Sequence, residues 1–400
     1  MSERVSLQDL KPIRKPQDLA INGAPPAFEQ LLHVGRPNVG SRELLMKYMD
    51  DIFERNWLTN DGPMVRQLER RIADLHGVKH CIAMCNGTVA LEIAIRALGL
   101  EGEVIVPSYT FIATAHALHW QAITPVFADI DLVTHSLDPA AVRRMITPRT
   151  TGIIAVHLWG RGAPVDELQT IADNHDLKLM FDAAHAFGCS YKGRMIGNFG
   201  ACEVLSFHAT KFFNTFEGGA VVTNDDALAE KMRLMRNFGF AGLDHVIHPG
   251  VNGKMIEVAA AMGLVNLDSV DYVITVNRRN HQAYRDALSG LPGISLLTFD
   301  ESETNNYQYV VMEVGEGCGV SRDQIVNALH AENIRARKYF WPGCHRMLPY
   351  RELYPHAGLL LPNTQLVADR VIVLPTGTAM DEEMVNTVAS VVRVLVEGNV

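Results

Sequence analysis

Positive charge is in short supply in this chain: 36 Lys and Arg stand against 45 Asp and Glu, a formal charge of −9 over 400 residues. A protein that grips nucleic acid needs cations to displace the counterions of the phosphate backbone, so this balance argues against one. Cysteine is sparse as well, with six residues at positions 81, 85, 189, 202, 318 and 344. Cys81 and Cys85 lie four apart, and no second pair stands at zinc-finger spacing. Reduced thiols are therefore expected, not a metal centre or a disulfide framework. No apolar run approaches the roughly 20 residues of a membrane span. The start, Met1-Ser2-Glu3-Arg4-Val5-Ser6, lacks the apolar centre of a signal peptide. A cytoplasmic globular protein that engages neither nucleic acid nor membrane is the expectation.

What the chain has is core material, with 48% hydrophobic residues, and a length beyond one usual domain. Residues 1–40 are rich in Pro, Gly and mixed charge and read as an N-terminal arm. Helical spacing predicts helices over Arg42–Arg55 and Pro63–His76, the second carrying Val65, Leu68, Ile72 and Leu75 on one face. From about residue 80, short apolar strands alternate with helices. Strands are predicted at His80–Met84, Glu103–Val106, Thr124–Ala128, Thr151–His157, Leu177–Phe181, Cys202–Ser206 and Ala220–Thr223, with helices such as Thr88–Leu98 and Val165–His175 among them. That alternation predicts an α/β fold with a mostly parallel central sheet flanked by helices. After about 265 the pattern changes to a smaller α+β unit: a long helix over Asp268–Ala287, strands at Ile294–Leu297 and Tyr307–Glu313, and helices over Ser321–Ala331 and Glu382–Glu397. Residues 41–265 are thus expected to form a large domain and 266–400 a small C-terminal one.

Lys211 is the most informative residue. It follows the predicted strand Cys202–Ser206, between small hydroxyl residues and the pair Gly218-Gly219, a poor place for a solvated surface charge. A desolvated ammonium gives up its proton more readily and becomes an imine-forming nucleophile. Upstream, Cys85-Asn86-Gly87-Thr88 joins a strand to a helix, where free N–H groups and the helix dipole suit a phosphate. The plain alternative is an ordinary turn with Thr88 as the N-cap. Asp182 ends the strand Leu177–Phe181 and has the chemistry to keep a pyridine nitrogen protonated, or else is a buried structural acid. His185 is either a packed histidine or a cofactor contact. Phe111, after the strand Glu103–Val106, is a ring-stacking candidate or a core aromatic. Ser206 offers a hydroxyl to a phosphate or is a loop serine. In chain order these are a phosphate cradle, a stacking aromatic, an acid for a ring nitrogen and an imine-forming lysine. Their conjunction is what pyridoxal 5′-phosphate requires.

The chain resembles the DegT/StrS family of nucleotide-sugar aminotransferases, fold type I of the pyridoxal-phosphate enzymes, from about Asn56 to Thr378. The resemblance is carried by Asn86-Gly87-Thr88-Val89-Ala90-Leu91, by Val104 to Phe111, by Pro125 to Asp131, by Val156-His157-Leu158-Trp159-Gly160, by Phe181-Asp182-Ala183-Ala184-His185-Ala186 and by Glu217-Gly218-Gly219. It implies that Lys211 binds the cofactor as an imine and then moves the proton, with Asp182 on the ring nitrogen and Phe111 on the ring face. Gly87, Thr88 and Ser206 would hold the phosphate. His185 stands where many members have a glutamine near the ring hydroxyl. Asn252 matches an asparagine that reaches the phosphate of the neighbouring subunit, which implies a homodimer; the aromatic–arginine pair that usually follows is here Gly253-Lys254. A lysine at 211, where a dehydratase branch has histidine, favours transamination. The segment Ala336–Arg346 looks like that of the branch that aminates C4 of dTDP-linked 4-keto-6-deoxyhexoses, and it either binds a nucleotide diphosphate or packs domains together. The implied substrates are a nucleotide-linked keto sugar and L-glutamate. The alternatives are a 3-keto nucleotide sugar or cyclitol ketone as acceptor, or a non-catalytic sensor on the same fold.

Overall fold

A computed structural model describes residues 10–398. Met1–Ser6 and the first nine residues of the expected arm lie outside them. Seven strands form the main sheet: β1 (His80–Met84), β2 (Glu103–Pro107), β3 (Thr124–Ala128), β4 (Thr150–Val156), β5 (Lys178–Asp182), β6 (Glu203–Ser206) and β7 (Gly219–Thr223). Their spatial order is β1-β7-β6-β5-β4-β2-β3. β7 runs antiparallel to both neighbours, and every other pairing is parallel. Fully buried runs such as Val104-Ile105-Val106 and Ala220-Val221-Val222 fit a sheet covered on both faces. This topology brings the carboxyl ends of β1, β2, β4, β5 and β6 to one edge, together with the start of β7. That edge is where ligands gather in open α/β sheets.

Helices cover the sheet because their apolar stripes have nowhere else to go. α1 (Arg42–Arg55) starts at Ser41, whose side chain accepts the Leu44 N–H at 3.2 Å. α2 (Pro63–His76) opens on a proline and stops at Gly77 in the left-handed conformation. The acid that satisfies its first N–H groups comes from far along the chain: Glu257 accepts Met64 N and Val65 N at 2.9 Å each. The helix Glu257–Leu267, which the periodicity did not disclose, is buried along nearly its whole length.

The C-terminal unit is built on a three-stranded antiparallel sheet of β8 (Ile294–Leu296), β9 (Val310–Val314) and β10 (Val371–Leu374), in that order, packed beneath the helices Val270–Leu288, Arg322–Ala331 and Glu382–Glu397. The described part of the expected arm is seated on this unit. Ile13, Leu19, Phe28 and Leu32 share its core with Tyr284, Met312 and Val388. Leu32–His33 pairs in parallel with Ile334–Arg335, and Glu332 accepts the N–H groups of Ala20 and Ala27.

One acid ties the two units together. Asp129, just past β3, accepts Asn363 N at 3.0 Å and both Thr364 N and Thr364 Oγ1 at 2.8 Å. It therefore caps the helix Pro362–Arg370 from the other unit. Asp129→Ala leaves buried donors without an acceptor and is expected to cost about 1–3 kcal/mol. Urea denaturation measures this, and an unchanged midpoint would show that the units are held elsewhere.

Candidate active site

Asp182 is the last residue of β5 and is buried, with 6% of its surface exposed. Thr114, on the helix α3 (Ala113–His119), donates its hydroxyl to Asp182 Oδ2 at 2.8 Å, and Ala184 N–H donates to Oδ1 at 3.0 Å. Burial raises the Asp182 pKa; these two hydrogen bonds and the charges of Lys211 and His157 oppose the rise without cancelling it.

Lys211 lies in the turn that follows β6, closed by a 2.8 Å hydrogen bond from its own N–H to His208 O. Its Nζ donates to Tyr309 Oη at 3.1 Å. Burial lowers its pKa to about 8, against the opposing pull of the Asp182 charge. Half of the side chains are then neutral at a pH where an exposed lysine is almost wholly protonated. The geometry thus makes an amine with a free electron pair at the edge of the sheet, one strand away from a buried acid.

The wall around this pair is aromatic. Tyr309 packs against His185 with ring centroids 4.5 Å apart. Trp159 stacks on His185 at 5.8 Å and on Phe340 at 5.3 Å, while Tyr109 meets Phe340 edge-on at 5.8 Å. Trp159 has φ of 63°, a left-handed conformation that bulky residues rarely adopt and that buried packing must hold in place. In that conformation Trp159 N–H donates to His185 Nδ1 at 3.3 Å. Burial and the Lys211 charge push the His185 pKa well below its usual value. His185 is therefore a neutral imidazole whose Nδ1 is engaged, which leaves the proton on Nε2.

The phosphate cradle is formed by close approach. Asn86, Gly87 and the start of the helix Gly87–Ala97 sit at the end of β1, beside Ser206 at the end of β6 and Gly219 at the start of β7. A Cβ on Gly219 would lie 2.6 Å from Gly87 N, and one on Gly87 would lie 3.2 Å from Ser206 Cβ. Glycine is required for this contact. The cap is Asn86, whose Oδ1 accepts Val89 N at 2.8 Å, and not Thr88 as the plain turn would have it. The difference matters, because capping by Asn86 leaves the Thr88 hydroxyl out of the cap and the first turn's other N–H groups facing outward.

Asp182, His185, Ser206, Lys211 and Gly87-Thr88 thus share one edge of the sheet. Phe111 lies at the same edge, before α3, but is 58% exposed and makes no ring contact among the described residues. Asn252 is on a surface segment whose backbone bridges to Asn237; its neighbour Gly253 accepts Cys85 N at 2.8 Å. Thr114, Trp159, Tyr309 and Phe340 were not singled out by sequence reasoning. Trp159 and Phe340 lay inside quoted motifs, whereas nothing local marks Thr114, 68 residues from Asp182, or Tyr309, 98 residues from Lys211.

A ring cofactor with a phosphate tail fits these groups: a glycine cradle flanked by the Thr88 and Ser206 hydroxyls, a buried acid, a desolvated lysine and flat aromatic surfaces. The fold and the site define a fold type I pyridoxal-phosphate aminotransferase. Residues 41–393 match the DegT/DnrJ/EryC1/StrS aminotransferase family, and the chain belongs to it. It is 37% identical over 358 residues to the dTDP-4-amino-4,6-dideoxy-D-glucose transaminase of Escherichia coli, covering 89% of this chain and 96% of that one. The GDP-perosamine synthase of Caulobacter vibrioides is 36% identical over 80% of this chain and 87% of its own length. A crystal structure of DesI with its TDP-sugar product superposes with a TM-score of 0.91 at 49% identity, over 95% of this chain and 96% of that one.

With Lys211 near 8, the rate at which the apoenzyme condenses with pyridoxal 5′-phosphate should rise as pH passes through about 8 and level off above it. Because the Asp182 charge holds the lysine pKa up, Asp182→Asn should move that midpoint lower. Stopped-flow absorbance reads both, and a midpoint near 10.5, the ordinary value for lysine, would contradict the desolvated site.

Proposed function

We propose that this enzyme transfers the amino group of L-glutamate to the C4 ketone of a dTDP-linked 4-keto-6-deoxyhexose, giving the dTDP-4-amino-4,6-dideoxyhexose. The observation that carries this reading is the Lys211 amine, brought to about 8 beside the buried Asp182 on the sheet edge. The choice of C4 and of dTDP is supported by the names of the Escherichia coli relative and of DesI with its TDP-sugar product.

When bound, pyridoxal 5′-phosphate supplies an electron-withdrawing ring that stabilises negative charge on a carbon next to nitrogen. The residues of the chain do the rest. Asp182, oriented by Thr114 and Ala184, would keep a proton at the ring nitrogen. Lys211, in its neutral form, would accept a proton at Nζ from one carbon and return it to the carbon on the far side of the nitrogen, two atoms further along. Gly87, Thr88 and Ser206 would hold the phosphate, and Phe111 would cover the ring. His185, neutral with its proton on Nε2, would be the donor available to a ring hydroxyl. The wall of Trp159, Tyr309 and Phe340 excludes water from the proton's path.

Asn252 completes the phosphate site of a second copy, so the working unit is a homodimer. Support comes from the exposed apolar segment around it, with Phe238, Phe240, Leu243, Val246, Ile247, Val251 and Ile256 all more than a third exposed. Light scattering should give twice 44.2 kDa, and a monomer would remove Asn252 from the site. The reaction belongs in the cytoplasm, in keeping with six unpaired cysteines.

The wild-type enzyme should release 2-oxoglutarate over many turnovers when given glutamate and dTDP-4-keto-6-deoxyglucose. Lys211→Ala should lose the cofactor's visible band and roughly 10²–10⁴-fold or more of the rate. A wild type that turns over only with a 3-keto sugar would overturn the C4 assignment.

A further inference from the structure

Guanidinium groups gathered in one cleft with no carboxylate among them are free to receive an anion. Three of them meet beside Lys211. A cleft of about 200 Å³ is lined by Arg36, Arg335 and Arg337 together with Thr210, Tyr309 and Tyr339. Among the described residues none of the three arginines has a carboxylate within ion-pair distance, whereas neighbouring cations are taken: Lys338 pairs with Asp323 at 2.8 Å, and Arg346 bonds Gln365.

The backbone arranges the trio. Ile334 and Ala336 are buried, so Arg335 and Arg337 alternate outward on the same face. His33 stands opposite Arg335 in the parallel pair, which brings Arg36 to the same side three residues later. Gly35 lets the N-terminal segment lie against the lysine turn, since a Cβ there would meet Thr210 Cβ at 2.9 Å. Two of its lining residues, Tyr309 and Tyr339, also neighbour the reacting amine. Tyr309 accepts from Lys211 Nζ at 3.1 Å, and the Arg337 guanidinium lies 4.8 Å from the Tyr339 ring centre.

We propose that Arg36, Arg335 and Arg337 hold the diphosphate of the nucleotide-linked sugar, so that the hexose passes Tyr309 and Tyr339 to reach Lys211. This assignment rests on the reading of the substrate as a nucleotide sugar. A diphosphate offers several charged oxygens on two phosphorus centres, matching three guanidinium forks; the side-chain carboxylate of glutamate needs only one. Lys338, paired with Asp323, and the buried Phe340 do not line the cleft, so the segment 336–346 divides between the two roles.

Titration calorimetry of the pyridoxal-phosphate-loaded enzyme with dTDP tests the cleft. Arg335→Gln and Arg337→Gln should each weaken dTDP binding about 10- to 100-fold, the loss of a charge-assisted contact, and raise the keto-sugar KM similarly. Arg285→Gln, the same charge change in a different surface cavity, should shift dTDP binding by less than about threefold. Wild-type-like dTDP binding by both cleft variants would overturn the assignment while leaving the substrate reading intact. So would a loss that falls on the glutamate KM with dTDP binding preserved, or an equal loss in Arg285→Gln. A wild type that neither binds dTDP nor turns over the keto sugar would overturn the substrate reading itself, and this assignment with it.

Discussion

The balance between desolvation and charge at Lys211 is the constraint on which the rest of the site depends. Burial alone would drive the amine's proton off; the carboxylate of Asp182 alone would hold it on. The outcome, a pKa of about 8, keeps a working fraction of free amine near neutral pH without making the lysine permanently neutral. Both halves of that balance come from the sheet. β5 and β6 are parallel neighbours, so Asp182 and the start of the lysine turn emerge at the same edge. A shift of either strand by one residue would point its side chains to the other face.

Tertiary contacts keep this edge in shape, and many of them come from the smaller unit. Tyr309 reaches Lys211 from the segment just ahead of β9, Phe340 closes the aromatic wall, and Asp129 anchors the helix Pro362–Arg370 against the large unit. The site is thus a joint product of the two units, whose shared aromatic cluster mixes Tyr109 and Trp159 with Tyr309 and Phe340. The arginine cleft is one as well, since it needs the N-terminal segment, the lysine turn and the strand Ile334–Arg335 to meet.

What the sequence discloses follows the range of the forces involved. The helices Arg42–Arg55, Pro63–His76, Val165–His175 and Glu382–Glu397 fall where the sequence pattern puts them, because that signal is local. The strands of the main sheet lie within one residue or so of their apolar runs, for the same reason. The helix Glu257–Leu267 was not legible because it is apolar on every side, and a fully buried helix has no stripe to read. The packing of Ile13, Leu19 and Phe28 on the C-terminal core could not be seen in a Pro- and Gly-rich lead-in, since its partners stand about 300 residues away. In the site, Lys211, Asp182 and the Gly87 turn were visible through chemistry-bearing residues at strand ends. Thr114 and Tyr309 carry no such signature and matter only by where the fold delivers them.

The central claim is that Lys211 is the amine that engages the cofactor. Borohydride reduction of the loaded enzyme, followed by peptide mass spectrometry, tests it most directly. The reduced pyridoxyl phosphate is expected on the peptide containing Lys211 and on no other lysine. A label on a different lysine, or an enzyme that turns over without any reducible attachment, would contradict it.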